Sequence, residues 1–300
     1  MKHLVVLTGT TAIGKTDLSI LLAQHFNTEI ISADSRQTYR ELAIGTAVPT
    51  ASQLAAVVHH QIQHISVADY YNVSMYEQEV LTILERLFST KDVVFLVGGS
   101  GMYLDVVCQG IDDLPTVDPE LRQQLMQRWQ EQGIEQLRKE LKLLDPVFYD
   151  QVDLGNAKRI LKALEVSYQT GIPYSQFRTG EKRERPFRIH KIALERPREE
   201  IYQRIDQRVL LMIAEGLEQE ARSVLPYRHL NSLNTVGYKE LFAYFDGEYK
   251  LDRAIELIQR DTRRFAKRQM SWFRRDTEYQ WFHPEQTAEI RAYIASKIVE

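Results

Sequence analysis

Apolar runs of strand length recur along the first hundred residues, and stretches of helical period lie between them. Leu4–Leu7 is a continuous apolar run ended by Gly9, and Leu18, Leu21 and Leu22 follow at helical spacing just after Lys15. A short unbroken run of this kind predicts a strand buried on both faces, followed by a loop and a helix. Glu29–Ser32 reads as a second strand, Gln61–Val67 as a possible third, Val93–Val97 as a fourth, and the alternating segment Phe187–Leu194 as a return to the same sheet. From about Pro115 to Arg178 the pattern is helical with no strand candidate, and helices dominate again from Pro197 to Asp276. The expected fold class is α/β: a parallel sheet with helices on both faces and an all-helical insertion. The expected core is residues 1–114 and 179–300, including C-terminal helices, and the insertion is 115–178. Ligands of such a sheet collect at the carboxyl ends of its strands.

Composition adds exclusions. The chain has 300 residues, 44% of them hydrophobic, enough for a large core. A formal charge of −3 gives no overall basicity, so any nucleic-acid surface must be local. One cysteine, Cys108, excludes an internal disulfide and reads as a small buried apolar residue beside Val106 and Val107. No apolar run reaches the ~20 residues of a membrane span, and no cleavable leader precedes the first strand, so a soluble cytoplasmic protein is expected. His59-His60 lacks a third ligand at metal-binding spacing.

The first strand runs into Gly9-Thr10-Thr11-Ala12-Ile13-Gly14-Lys15-Thr16, which fits G-x-x-x-x-G-K-[ST] in its strand–loop–helix context. Backbone N–H groups of such a P-loop surround a diphosphate, Lys15 adds charge, and Thr16 can ligate Mg²⁺. Most such loops hold ATP or GTP. Here Val93–Val97 ends in "GGSGMYL" rather than in a Walker B acid, and no Asn-Lys-x-Asp guanine reader follows a later strand. A small-molecule kinase remains, or an enzyme that puts the loop to another use.

Further segments bear on that choice. Asp34, Ser35 and Gln37 follow the second strand at the edge of the sheet that holds the loop, where an aspartate serves as a general base or as a turn residue. Ser100 stands at a helix start, where N–H groups bind anions or cap the helix. Arg260–Asp276 carries seven basic and two acidic residues, with Phe265 and Trp272 placed to face the core; Arg178–Lys191 carries six and two. Two such runs in a negative chain suggest a basic groove along an RNA backbone.

Together, "GTTAIGKT", "ISADSRQTY", "IGTAVP", "GGSGMYL", "RILKALEVSYQTGIPYS", "GLEQEA", "TVGYKE" and "AKRQMSWFRRD" resemble the tRNA dimethylallyltransferases, or tRNA isopentenyltransferases, over roughly Leu4–Asp276. The resemblance implies transfer of a dimethylallyl group from its diphosphate to the exocyclic N6 of the adenosine 3′-adjacent to the anticodon, with Mg²⁺ as cofactor and a monomeric chain. It implies that the loop, Gly9 to Thr16, holds an isoprenoid diphosphate with help from Arg208, or Arg204 as second choice, in "IYQRIDQRVLLM". Asp34 becomes the proton acceptor for N6. Ser35, Arg36, Gln37, Ser100, Arg122, Lys158, Arg159, Lys162, Gly237, Tyr238 and Lys239 become contacts to the anticodon stem-loop, with the insertion gripping that arm. Val48 stands where the family commonly has lysine, and Ser100 where it more often has threonine.

Overall fold

His3–Gly9, buried at every position, forms strand β1 at the middle of a six-stranded sheet. The others are β2 (Ile30–Ser32), β3 (His59–His60), β4 (Val93–Gly98), β5 (Arg188–Leu194) and β6 (Gln280–Phe282), and the spatial order is β3-β2-β4-β1-β5-β6. Every pairing is parallel. The computed structural model describes residues 1–115 and 118–299; Thr116 and Val117, inside the expected insertion, lie outside the described residues, as does Glu300.

Parallel strands need covering on both faces, and here both parities of β1 are fully buried. Val5 and Leu7 pack with Leu18 and Leu22 of the helix Lys15–His25, Ile201 and Ile205 of Arg198–Ala214, and Ile290 and Ile294 of Thr287–Val299. The helices Val73–Phe88 and Gly101–Gln109 pack against β4 and against each other. A second cluster, built on Tyr39, Leu42, Leu217, Leu233, Tyr238, Leu241 and Phe242, joins the loop after β2 to the C-terminal helices.

One strand expectation needs correction, and one strand lies outside the segments read from the sequence. Gln61–Val67 is not a strand: β3 is His59–His60, and positive φ angles at Gln61 (63°) and Gln63 (50°) turn the chain, leaving an isolated bridge between Tyr39 and Ile65. β6, three residues long at the sheet edge, falls after the segment read as helical.

The connection leaving β1 passes over β4 to reach β2, and the one leaving β4 passes over β1 to reach β5. The carboxyl ends of β1 and β4 therefore bound the crevice where α/β sheets place ligands.

The chain divides into two compact units, one of residues 1–109 and 185–300 and the other Gly110–Glu184. The second contains the helices Pro119–Leu144, Pro146–Gln151, Ala157–Thr170 and Tyr174–Phe177, and no strand among its described residues. Pro119–Leu144 is two helices meeting at Gly133, whose φ of 77° suits only glycine at low cost. Asp118, Asp145 and Asn156 cap three of the helices, and the fully buried Asp145 also accepts from Ser175 N (2.6 Å) and Oγ (2.7 Å). Leu125, Leu137, Leu141, Ile160 and Leu164 form the unit's own core.

Candidate active site

The loop after β1 starts at Gly9 (φ 149°) and closes at Gly14, which caps the helix Lys15–His25 in the left-handed conformation; Ala12 is also left-handed (φ 62°). This winding turns peptide N–H groups toward the helix mouth, where the helix dipole favours an anion. Cations brace the loop from behind and above. Lys15 Nζ donates to Gly9 O (3.0 Å) and Thr10 O (2.8 Å), Arg208 to Thr11 Oγ1 (3.3 Å), Arg204 Nε to Ala12 O (2.7 Å) and Arg196 Nε to Ile13 O (3.1 Å). Burial pushes the Lys15 ammonium down to about 8; the Asp34 carboxylate opposes that shift and the Arg208 guanidinium adds to it. Burial also lowers Arg208, which as a guanidinium keeps its charge.

Residues 11–16 of the loop line a cavity of about 790 Å³, together with Asp34, Gln37, the 43–51 segment, Arg204 and Arg208. Gly9 and Thr10 do not reach it; they sit behind, holding Lys15 through their carbonyls. A second cavity of about 540 Å³ is lined by Asp34, Ser35, Arg36, Ser100, Gly237, Lys239, Phe265 and Arg268, among others. Asp34, Thr46, Arg208 and Phe265 face both cavities.

Asp34 Oδ1 accepts the Arg36 N–H (2.9 Å), the turn role that an aspartate often fills. Its other carboxylate oxygen has no protein donor among the described residues and is left for whatever enters. Ser100 Oγ accepts the Ser35 N–H (2.9 Å) and lies 3.2 Å from Ser35 Oγ, tying the Asp34 turn to the end of β4. Arg36 donates to Asn231 O and Ser232 O, and Gln37 Nε2 donates to Thr46 O and Ala47 O. Tyr238 is fully buried and donates to Glu220 Oε1 (2.6 Å), so its side chain offers nothing to an RNA in this conformation. Lys158 and Arg159 are exposed in the second unit. Beside them, Arg122 Nε lies 3.6 Å from the buried Glu165; burial lowers the Lys162 ammonium and raises the Glu165 carboxyl.

The reading of the two basic runs is partly corrected. In Arg178–Lys191, Arg183 pairs with Asp113, Arg185 with the buried Glu77, and Lys191 with Asp276 and Glu278, so half of the six basic residues of this run are spent on internal ion pairs. In the helix Leu251–Phe273, Arg260 and Arg264 pair with Asp261 and Arg263 with Asp206, whereas Lys267 and Arg268 have no ion pair among the described residues. Phe265 does not face the core. The buried stripe of this helix runs Ala254, Ile258, Ala266, Gln269 and Phe273, and Phe265 sits one position off it, 38% exposed in the cavity wall. Trp272 is half-buried, its Nε1 donating to Asp105 Oδ2 (3.0 Å).

Gln269, absent from the sequence-based site, links both glycine loops: Thr11 N–H donates to its Oε1 (2.9 Å) and its Nε2 donates to Gly99 O (2.9 Å). A Gln269→Leu variant would leave the buried Gly99 O and the half-buried Thr11 N–H without their partner, at a cost of about 1–3 kcal/mol. Urea unfolding should show that loss at unchanged slope; a change below about 0.5 kcal/mol would mean the bridge does not hold the loops.

Thr16 lines the larger cavity and its hydroxyl has no protein partner among the described residues, which fits a Mg²⁺ ligand. Mg²⁺ takes one or two protein oxygens and completes its shell with phosphate and water. His59 Nδ1 lies 2.8 Å from Val57 O and His60 Nε2 2.7 Å from Glu29, so both imidazoles have local partners. Burial pushes the Cys108 thiol up to about 12, as for an inert core residue.

A phosphate loop at the switch point of a parallel sheet, with Asp34 between two cavities that share part of their lining, defines a P-loop α/β protein. The family model described as IPP transferase matches residues 37–276, and the chain belongs to that family. It is 56% identical over 294 residues to tRNA dimethylallyltransferase 1 of Bacteroides thetaiotaomicron, covering 98% of this chain and 96% of that one. The tRNA isopentenylpyrophosphate transferase of Bacillus halodurans has the same fold, with a TM-score of 0.73 at 32% identity over 99% of this chain and 97% of that one. A eukaryotic dimethylallyltransferase captured acting on tRNA gives a TM-score of 0.77 at 26% identity, covering 91% of this chain and 70% of that chain.

Proposed function

We propose that this enzyme transfers a dimethylallyl group from dimethylallyl diphosphate to the exocyclic N6 of the adenosine 3′-adjacent to the anticodon in tRNA, releasing diphosphate. The observation that carries the reading is Asp34, which lines both the cavity of the phosphate loop and the one rimmed by Arg36, Lys239 and Arg268, and which keeps one carboxylate oxygen without a protein donor among the described residues. Two substrates entering from the two cavities meet at that carboxylate.

The N6 amine is a weak nucleophile because its lone pair is delocalised into the ring. It forms a bond to C1 of the prenyl group as the C1–O bond to diphosphate breaks, and it gives up a proton that Asp34 accepts. The loop N–H groups, Lys15 and Arg208 bind the diphosphate and take up the charge that develops on it. Bound through Thr16, Mg²⁺ would supply further neutralisation of that leaving group. A stacked adenine cannot reach Asp34, so the base must turn out of the anticodon loop into the 540 Å³ cavity. Arg36, Lys239 and Arg268 are suited to the phosphates on either side, and the second unit, through Arg122, Lys158, Arg159 and Lys162, to the anticodon stem. Among the described residues no helix is long and apolar enough to cross a membrane; the proposed setting is a monomer working on tRNA in the cytoplasm.

A P-loop kinase for a small metabolite would share the phosphate loop, but family membership favours prenyl transfer. A noncatalytic RNA-binding module leaves the Asp34 geometry without a use. Incubation with labelled dimethylallyl diphosphate and unmodified tRNA, with ATP as a competing donor, should label the tRNA and yield no ADP. ADP release with unlabelled tRNA would replace this reading with the kinase, and binding without turnover would replace it with the module.

A further inference from the structure

The segment between Ala43 and Ala47 forms part of the wall of both cavities, yet belongs to no regular element. Its conformation is held by one side chain from far along the chain. Glu220 Oε2 accepts the N–H groups of Ala43 (2.8 Å) and Ile44 (2.7 Å), and Oε1 accepts the N–H of Gly45 (2.9 Å) and the Tyr238 hydroxyl (2.6 Å). Three successive peptide N–H groups converging on one carboxylate form the kind of nest that binds a free anion. Here a side chain fills it.

The next two residues take part in a second attachment. Thr46 O and Ala47 O accept from Gln37 Nε2, and Gln37 Oε1 accepts from Ser32 Oγ (3.2 Å). The segment is thus strung between Glu220 on one side and Gln37 on the other, and Gln37 lies in the turn that follows Asp34. Gly45 fits only because it is glycine: an added Cβ would lie 2.6 Å from the Tyr238 oxygen and 2.9 Å from Leu217 Cδ1.

We propose that Glu220, seated by Tyr238, is a positioning residue for prenyl transfer: by holding the 43–45 amides it sets, through Gln37, the placement of the Asp34 turn between the two cavities. The inference rests on the proposed reaction. Glutamine at 220 keeps the shape but cannot keep the function, because each oxygen already accepts two donors and either amide orientation would turn an NH₂ group onto N–H or O–H donors. Misplacement of a reacting group by ~1 Å is enough to cost on the order of a hundredfold in rate.

Single-turnover transfer from labelled dimethylallyl diphosphate to tRNA, normalised to active sites, tests this in Glu220→Gln and in Gly45→Ala, which displaces the same segment while leaving the carboxylate intact. Each variant should lose at least about tenfold in rate with tRNA affinity within about twofold. The double variant should lose little more than either alone, since both act through one segment. Amide exchange at residues 43–45 should quicken in Glu220→Gln whether or not the enzyme turns over. An unchanged rate per active site in Glu220→Gln, or losses that multiply in the double variant, would overturn the inference. So would a rate loss accompanied by wild-type exchange at 43–45. An inactive wild type would instead remove the proposed reaction, a result distinguishable from an active wild type with an unaffected variant.

Discussion

Asp34→Asn is expected to bind tRNA and diphosphate normally and to transfer almost nothing, with a fall in single-turnover rate of about 10²–10⁴, the range for losing a general base. The substitution is a clean one. An asparagine oxygen can still accept the Arg36 N–H, so the turn keeps its shape, and the change is confined to the oxygen that has no protein donor among the described residues. There an NH₂ group would face the adenine amine as a second donor. The measurements are labelled-prenyl transfer under single-turnover conditions and tRNA binding by filter retention. A variant that keeps full rate would show that the proton leaves by another route; one that loses tRNA affinity in step with rate would make Asp34 a binding group.

The second large effect is expected at Lys15. Lys15→Ala removes the ammonium that touches Gly9 O and Thr10 O and leaves the loop with Arg208 and backbone N–H groups for the departing diphosphate. Donor affinity and rate should fall together, the rate on the order of 10²–10³-fold, comparable to losing one preorganised charge-stabilising donor. The wild-type enzyme should show the same dependence through pH. With the free-enzyme ammonium pushed down to about 8, Lys15 is charged below that pH and neutral above it, so donor affinity should weaken as pH rises through about 8. A bound diphosphate favours the charged form, so binding above that pH should take up a proton. Calorimetry in buffers of different ionisation enthalpy reads that uptake. A donor affinity flat from pH 7 to 9 in wild type, or unaltered in Lys15→Ala, would remove the lysine from the diphosphate site.

How legible the protein was in its sequence depended on the distance over which each feature is determined. The phosphate loop and the helix after it are local: glycine positions, a lysine and apolar spacing within twenty residues define them, and the structure follows. The segment Gln61–Val67 has strand-like composition, but left-handed residues at Gln61 and Gln63 are set by packing that side-chain pattern does not record. β6 is three residues long and, among the described residues, pairs only with β5, too short for periodicity to register. Basic runs were readable as charge, but their partners Glu77, Asp206, Asp276 and Glu278 lie elsewhere in the chain, so surplus was mistaken for surface. Gln269 and Glu220 both lie in the quoted motifs "AKRQMSWFRRD" and "GLEQEA". Their roles emerge only when the fold brings them to peptide groups near residues 11 and 45.

The register of β1 also bears on how the chain matures as it leaves the ribosome. One side of β1 pairs with β4, available once Gly98 has emerged, but the other pairs with β5 from His3↔Arg188 onward, and β5 in turn waits for Gln280–Phe282. A nascent chain therefore carries an apolar, hydrogen-bond-hungry edge while the whole helical unit Gly110–Glu184 is being synthesised. That helical unit, whose contacts are short in sequence, can settle first, and the parallel sheet closes only near the end of translation.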